Sequence, residues 1–244
     1  MTRFFSAFMI LYLLFFGSCL SRRLAIRQHT NRANSLFDKG DFDGAIAEYD
    51  KAIAIDPNDP YHYYNRGNAR KAKKELDLAI TDYNKALSID ANIVEAYNNR
   101  GNARSSKGDL AGALSDFNQA LSLDPNFAAA YNNRGYGRQQ LGDIDGALAD
   151  YEKAISLDPG AAYYYNNRGS TRRLKGDLKG AFEDVNRSLA LDPKNAEAYC
   201  NLGLVNLSLG RRATATASFD KCYTIDATLK PRFEALASEI ISER

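Results

Sequence analysis

Side chains able to act as nucleophiles, general bases or soft metal ligands near neutral pH are scarce in this chain. Its 244 residues include two histidines, His29 and His62, and three cysteines, Cys19, Cys200 and Cys222. Neither histidine has a cysteine or a second histidine at ligand spacing, and no glycine-rich phosphate-binding loop is present. No catalytic residue, metal site, cofactor or small-molecule substrate is therefore expected. What recurs instead is amide chemistry. Asparagine stands at Asn31, Asn65, Asn99, Asn133, Asn167 and Asn201, one every 34 residues. Each side chain carries both hydrogen-bond donors and an acceptor, so a row of them can pair with the backbone of an extended peptide while reading little of its sequence.

The elements that must position this row repeat with the same period. The string Asn-Arg-Gly ends at Gly67, Gly101, Gly135 and Gly169. Placing that glycine at position 8 defines six ungapped repeats: 26–59, 60–93, 94–127, 128–161, 162–195 and 196–229. Position 8 is otherwise Ala33 and Gly203. Position 20 is alanine throughout, from Ala45 to Ala215, and position 27 is Ala52, Ala86, Ala120, Ala154, Ser188 and Cys222. Small residues there let two helices approach closely, and the mostly aromatic column at position 24 (Tyr49, Tyr83, Phe117, Tyr151, Val185, Phe219) fills the space between them. Gly40-Asp41, Gly108-Asp109, Gly142-Asp143 and Gly176-Asp177 stop the first helix and cap the second. Lys74-Glu75 and Gly210-Arg211 are weaker versions of the same turn. Proline at position 32 in four repeats is expected to end the second helix.

This spacing and these residues resemble the tetratricopeptide repeat (TPR) family over residues 26–229. The resemblance implies an all-α, right-handed TPR solenoid of six helix-turn-helix repeats, with residues 230–244 as a capping helix. In that helix Phe233, Leu236, Ala237, Ile240 and Ile241 form the covering stripe. The resemblance also implies a concave groove lined by the first helices and a function in protein–protein interaction. Position 4, often Trp in the family, carries His29, Tyr63, Tyr97, Tyr131, Tyr165 and Tyr199; the chain has no Trp. His29 is accordingly read as structural, and His62, at position 3, as exposed.

Helical-wheel arithmetic places positions 2, 5, 6, 9, 12 and 13 on one face. The expected groove therefore contains the six asparagines above with Asn98, Asn132 and Asn166 at position 5, Asn68 and Asn102 at position 9, and Tyr64 and Tyr136. Tyr61, Lys71, Tyr163, Gln139, Gln140 and Arg173 complete its ends. The row is similar to the asparagine ladder in the TPR superhelix of O-linked N-acetylglucosamine transferase, no part of whose catalytic domain is found in this sequence. TPR co-chaperones that clamp a C-terminal carboxylate need a lysine at position 5, where this chain has Thr30, Tyr64 and Asn98; that function is disfavoured.

The pattern departs from the family at positions 7 and 11. Position 7 is arginine in five repeats (Arg32, Arg66, Arg100, Arg134, Arg168) and then Leu202. Position 11 is Leu36, then Arg70, Arg104, Arg138 and Arg172, then Asn206. Both face the partner helix, where a half-buried guanidinium needs a counter-charge. Position 23 supplies it in the same five repeats (Glu48, Asp82, Asp116, Asp150, Asp184) and is Ser218 in the sixth. An ion pair between columns 7 and 23 is expected in repeats one to five. Cys200 and Cys222 share repeat six on columns that point differently, so Cys222 reads as a small buried hydrophobe, although a bridge between them is not excluded.

Charge excludes one partner class. Lys and Arg number 32 against 30 Asp and Glu, without the concentrated basic surface a polyanion binder needs, so nucleic acid is not expected. The balance hides the first residues: 4–20 carry no charge, with Arg3 before them and Arg22, Arg23 and Arg27 after. Phe16-Gly17-Ser18-Cys19 is similar to the lipobox of bacterial lipoproteins, with Phe16 at a position usually Leu, Val or Ile. That likeness implies cleavage after residue 18, lipid on Cys19, a short linker over 19–25 and an envelope protein facing the periplasm. An uncleaved anchor with a cytoplasmic TPR domain is the other reading, favoured by the three arginines. The chain is thus expected to be a membrane-tethered, non-enzymatic adaptor for partner proteins. An assembly or oligomerisation scaffold using its convex or edge surfaces is the alternative, and RNA binding the remote one.

Overall fold

In a computed structural model, the structure describes the backbone of residues 2–242 and the side chains of 20–242. Cys19 and the lipobox-like residues lie outside the described side chains. Among the described residues the secondary structure is entirely helical, and no helix is long and apolar enough to cross a membrane. The chain forms two compact units, 1–112 and 113–244. The first contains α1 (Thr2–Asp38), α2 (Phe42–Ile55), α3 (Pro60–Ala72), α4 (Leu76–Ile89) and α5 (Val94–Ser106). The division falls inside α6 (Leu110–Leu123), so the third repeat is shared between the units. The second unit continues with α7 (Ala128–Gln140), α8 (Ile144–Leu157), α9 (Ala162–Lys175), α10 (Leu178–Leu191), α11 (Ala196–Ser208) and α12 (Arg212–Ile225). A short 3-10 turn and α13 (Lys230–Ser242) close it. Within each unit the two helices of a repeat pack together, and each second helix packs on the next first helix, as in a solenoid.

The close approach within repeats is set by position 8. A Cβ on Gly67 would lie 2.8 Å from Tyr83 Cε1, and one on Gly203 2.6 Å from Phe219 Cε1. Position 24 is buried in repeats one to five, with Tyr83, Tyr151 and Val185 at 0% exposure.

The second helices do not end on proline. They stop one residue before an aspartate present in every repeat: Asp56, Asp90, Asp124, Asp158, Asp192 and Asp226. Each Oδ1 accepts the backbone N–H two residues on, from Asn92 to Asp90 at 2.9 Å and from Asn126 to Asp124 at 2.9 Å. The stop falls at the same column where Ala91 and Ala227 replace proline, so the aspartate turn fixes it.

The turns inside repeats follow the glycine-aspartate expectation. Asp41, Asp109, Asp143 and Asp177 each accept from the backbone N–H three residues on, at 2.9 to 3.0 Å. Glu75, one methylene longer, and Arg211, a cation, make no such cap.

Four further features bear on the expectations, and two of them, at His62 and Ile241, each change one. Residues 20–25, expected as part of a linker, are helical and continue into α1. The Arg22 guanidinium donates to the Ile55 carbonyl at the C-terminal end of α2, where a cation is favoured by the helix dipole. His62 is buried at 3% exposure, not exposed. In α13, Phe233 is buried and Leu236, Ala237 and Ile240 pack on repeat six, while Ile241 remains 49% exposed.

Five turns carry glycine at φ between +79° and +87°; the second repeat has Lys74 at +63° instead. A left-handed conformation costs a non-glycine residue about 1–2 kcal/mol, partly offset by glycine's greater chain entropy. Lys74→Gly is expected to stabilise the protein by about 0.5–1 kcal/mol, seen as a higher midpoint in thermal melts. An unchanged or lower midpoint would show that Lys74 is not strained.

Candidate functional site

The arginine and acid columns meet between the two helices of a repeat. In repeat four, Arg134 clasps Asp150 with two bonds, Nε to Oδ2 at 2.9 Å and Nη2 to Oδ1 at 2.6 Å. Arg138, one turn on, adds Nη1 to Oδ2 at 2.9 Å and reaches the Gly146 carbonyl at 3.2 Å. Repeat two has the same triad on Asp82, from Arg66 at 3.0 and 2.6 Å and Arg70 at 2.8 Å. In repeat five Arg168 and Arg172 close on Asp184. The expected pair is therefore a triad in these repeats, with one nearly buried aspartate holding two guanidinium groups. In repeats two to five the position-7 guanidinium also lies over the position-4 tyrosine of its own repeat, 5.3 Å from the Tyr131 ring centre and 5.7 Å from that of Tyr165. The tyrosine column and the arginine column are thus one feature, joined by cation–π contact.

Repeat one departs from this. Leu36 replaces the second arginine, and Arg32 stays 3.8 Å from Glu48 with most of its side chain in water. Glu48 is instead bonded by Lys51 and by His29 Nδ1, both at 2.7 Å. These bonds, Lys51 first, hold its carboxyl well below the usual range, at about 2. In repeat three, Arg100 lies in the first unit and Asp116 in the second.

The asparagine row is bonded largely to itself. Asn167 Nδ2 donates to Asn132 Oδ1 at 2.9 Å, and Asn201 Nδ2 to Asn166 Oδ1 at 2.9 Å. Position 6 of one repeat thereby grips position 5 of the repeat before. Asn132 also donates to Asn133 at 3.2 Å. In the first unit Asn99 Nδ2 reaches the Tyr64 hydroxyl at 3.2 Å and Asn68 Oδ1 at 3.0 Å, and Lys71 Nζ donates to Asn99 Oδ1 at 3.3 Å. Burial pushes the Lys71 ammonium pKa down. Position 9 serves the helix pair as well: Tyr49 and Tyr83 donate their hydroxyls to Asn34 at 2.6 Å and Asn68 at 2.8 Å. Desolvation pushes Tyr49 up to about 12. Gln139 plays that part in repeat four, accepting from Tyr151 and from Thr171 of the next repeat.

Asn98, Asn132, Asn166 and Asn201 are consequently buried, Asn65, Asn99, Asn102, Asn133 and Asn167 are half-buried, and Asn31 is exposed. Position 5 turns inward, toward the second helix of its repeat. That explains Cys200: it stands at position 5, its Cα lies 5.3 Å from that of Cys222, and the two form a disulfide with both residues fully buried. The expectation that their columns point apart is corrected by this orientation. Tyr64, also at position 5, packs against Tyr83 with ring centres 6.1 Å apart.

The first helices also leave large apolar side chains in water. Tyr136, Tyr163 and Leu174, at positions 9, 2 and 13, share a stripe on α7 and α9 and are 43%, 47% and 51% exposed. In the first unit Tyr61 is 55% exposed. A recess of about 300 Å³ there is lined by Asn34, Phe37, Asp38, Tyr49, Asn65 and Asn68. Among the described residues no group of three His, Cys, Asp or Glu side chains is placed to hold a metal ion.

Models of the TPR repeat match residues 33–74, 67–108 and 169–210, and models of the tetratricopeptide repeat match 94–127, 128–160 and 196–229. The chain belongs to the tetratricopeptide repeat family. No curated protein matches it. Among solved TPR structures, the MamA protein is similar at 28% identity over 71% of this chain and 94% of its own, with a TM-score of 0.60. The Pseudomonas aeruginosa protein pilF is similar at 18% identity over 92% of this chain and 100% of its own, with a TM-score of 0.73. YrrB, described as a TPR protein with an unusual peptide-binding site, is 24% identical over 80% of this chain and 97% of its own, with a TM-score of 0.58. The latter two likenesses concern the fold.

Two outcomes follow from the charged columns of this TPR chain. Asp150→Ala strands two guanidinium groups and is expected to cost about 3–5 kcal/mol. The triple variant Arg134→Leu/Arg138→Asn/Asp150→Ser, which copies repeat six, should cost less than that single change in urea unfolding. A larger loss in the triple variant would contradict the triad. Glu48 titrates at about 2 when folded, below its ordinary 4.5. The stability it confers is complete above about pH 4.5 and is lost as the pH falls toward 2. Melts of Glu48→Gln should therefore show a shallower loss of stability across that window than the unsubstituted protein.

Proposed function

We propose that the protein is a non-enzymatic, membrane-tethered adaptor that holds an extended segment of a partner protein along the first-helix faces of its repeats. The observation that carries this reading is the exposed tyrosine stripe above a satisfied amide row. Tyr136, Tyr163 and Leu174 in one unit, and Tyr61 in the other, present large rings and an aliphatic side chain to water, and Tyr163 is held in place by an edge contact and a hydroxyl hydrogen bond to buried Tyr164. Such rings anchor apolar side chains of a ligand at low entropy cost. The asparagines divide between two tasks. Those bonded along the row set the spacing of repeats, while Asn31, Asn65 and Asn102 keep amide groups available to a peptide backbone. TPR proteins are in general scaffolds for protein partners.

For compartment, the lipobox-like Phe16 to Cys19 and the Cys200–Cys222 disulfide support the same reading. Structural disulfides persist in oxidising compartments such as the periplasm. Export with lipid on Cys19 is consistent with both features, whereas a cytoplasmic TPR domain would leave the bridge without an oxidising environment.

Tyr61→Ser/Tyr136→Ser is expected to lose co-purifying partners while keeping the melting midpoint. Asn132→Ala/Asn166→Ala should do the reverse, lowering the midpoint by the loss of two buried acceptors, about 1–3 kcal/mol each. Retention of every partner by the tyrosine variant would remove the groove reading. Intact mass and fractionation test the tether: a lipid-modified chain beginning at Cys19 in the membrane fraction is expected. A full-length, unmodified chain would contradict it.

A further inference from the structure

The repeats are clasped along a second line, at the turn edge. Lys73 pairs with Asp43, Lys107 with Asp77, and Lys175 with Asp145 at 2.7 Å. In repeat numbering each is a lysine at position 14 bonded to an aspartate at position 18 of the repeat before. Two junctions lack these residues: that of repeats three and four has the uncharged Ala111 and Leu141, and at that of repeats five and six a cation replaces the acid. At the latter, position 18 is Lys179, a reversal of charge, and position 14 is Leu209. The capping aspartate of the turn is replaced as well, by Arg211. A recess of about 410 Å³ opens there, lined by Leu178, Lys179, Phe182, Glu183, Leu209 and Arg211. The Arg211 guanidinium lies over the Phe182 ring, 5.6 Å from its centre. Among the described residues neither Lys179 nor Arg211 has an ion-pair partner, whereas the position-7 and position-11 arginines of repeats two, four and five close on a carboxylate.

We propose that this recess is a second docking site, separate from the tyrosine stripe, for a partner segment that presents a large apolar side chain next to carboxylates. The walls supply Leu178, Phe182 and Leu209 for the apolar group, and the volume lies in the range of pockets that take a side chain with its flanking atoms. The two cations, against the single carboxylate of Glu183, supply the complementary charge. What sets this edge apart from that of repeats three and four, where Ala111 and Leu141 are both uncharged, is the pair of cations beside its apolar wall.

The test pans a random peptide library on the full chain and measures the enriched peptides by fluorescence polarisation. One variant rebuilds the clasp, Lys179→Asp/Leu209→Lys. A second, Lys179→Glu, changes a single exposed residue and guards against a folding defect in the first. A third, Tyr136→Ser/Tyr163→Ser, removes the aromatic stripe. The expected result is a class of peptides with Leu, Ile or Phe beside Asp or Glu. Both recess variants should weaken them roughly tenfold or more, matching loss of an apolar contact and an ion pair, while the stripe variant binds them unchanged. The proposal is overturned if no such class is enriched, if its affinity survives both recess variants, or if only the stripe variant weakens it. The last outcome would leave the groove reading intact while removing this one.

Discussion

A single aspartate, almost wholly removed from water and gripped by two arginines, sits between the helices of the second, fourth and fifth repeats. A buried carboxylate is tolerated only when it is paired and its lone pairs are filled, and Asp82, Asp150 and Asp184 satisfy both conditions through Arg66 and Arg70, Arg134 and Arg138, and Arg168 and Arg172. Much else depends on this. The bidentate grip fixes the register of the first helix on the second. The position-7 guanidinium then lies over the tyrosine of column 4, and in repeats three to five the position-11 guanidinium reaches a carbonyl in the first turn of the second helix. In repeat six Leu202, Asn206 and Ser218 take the three places, and a disulfide ties the helices instead.

A second constraint acts between repeats. Amide groups buried along the inner side must find partners, and the position-6 to position-5 bonds provide them. A row that looks like a ligand site is therefore in large part the fastening between neighbours. Because the paired arginines of repeats two, four and five and most amides are consumed internally, exposed tyrosine is prominent on the first helices beside charges such as Arg27, Arg32 and Glu95. That chemistry suits apolar side chains on an extended partner rather than a charged terminus.

The helix pairs, the four aspartate caps and the coupling of the arginine and acid columns were legible in the sequence, because each rests on a column that recurs with one period. Three features were not read. The aspartate at position 31 is present in all six repeats, but proline beside it drew the explanation; Ala91 and Ala227 were the signal that proline is dispensable. The inward turn of position 5 was hidden by wheel arithmetic, which treats a helix as isolated and places 5 beside 6. A neighbouring repeat and the partner helix compete for that arc, and Cys200 opposite Cys222 shows which one holds it. The lysine–aspartate clasp joins position 14 to position 18 of the repeat before, and a search confined to single repeats cannot find it. His62 was misplaced for a related reason, since its burial depends on tertiary packing at the start of α3.

The account rests on the claim that the tyrosine stripe faces the partner in the cell. The direct measurement is site-specific photo-crosslinking in the full-length protein, with a photoreactive phenylalanine analogue at Tyr163 on the stripe and, in parallel, at Ser156 on the exposed side of α8. A discrete protein adduct from position 163 and none from 156 is predicted. Equal adducts from both positions, or an adduct from 156 alone, would contradict the account.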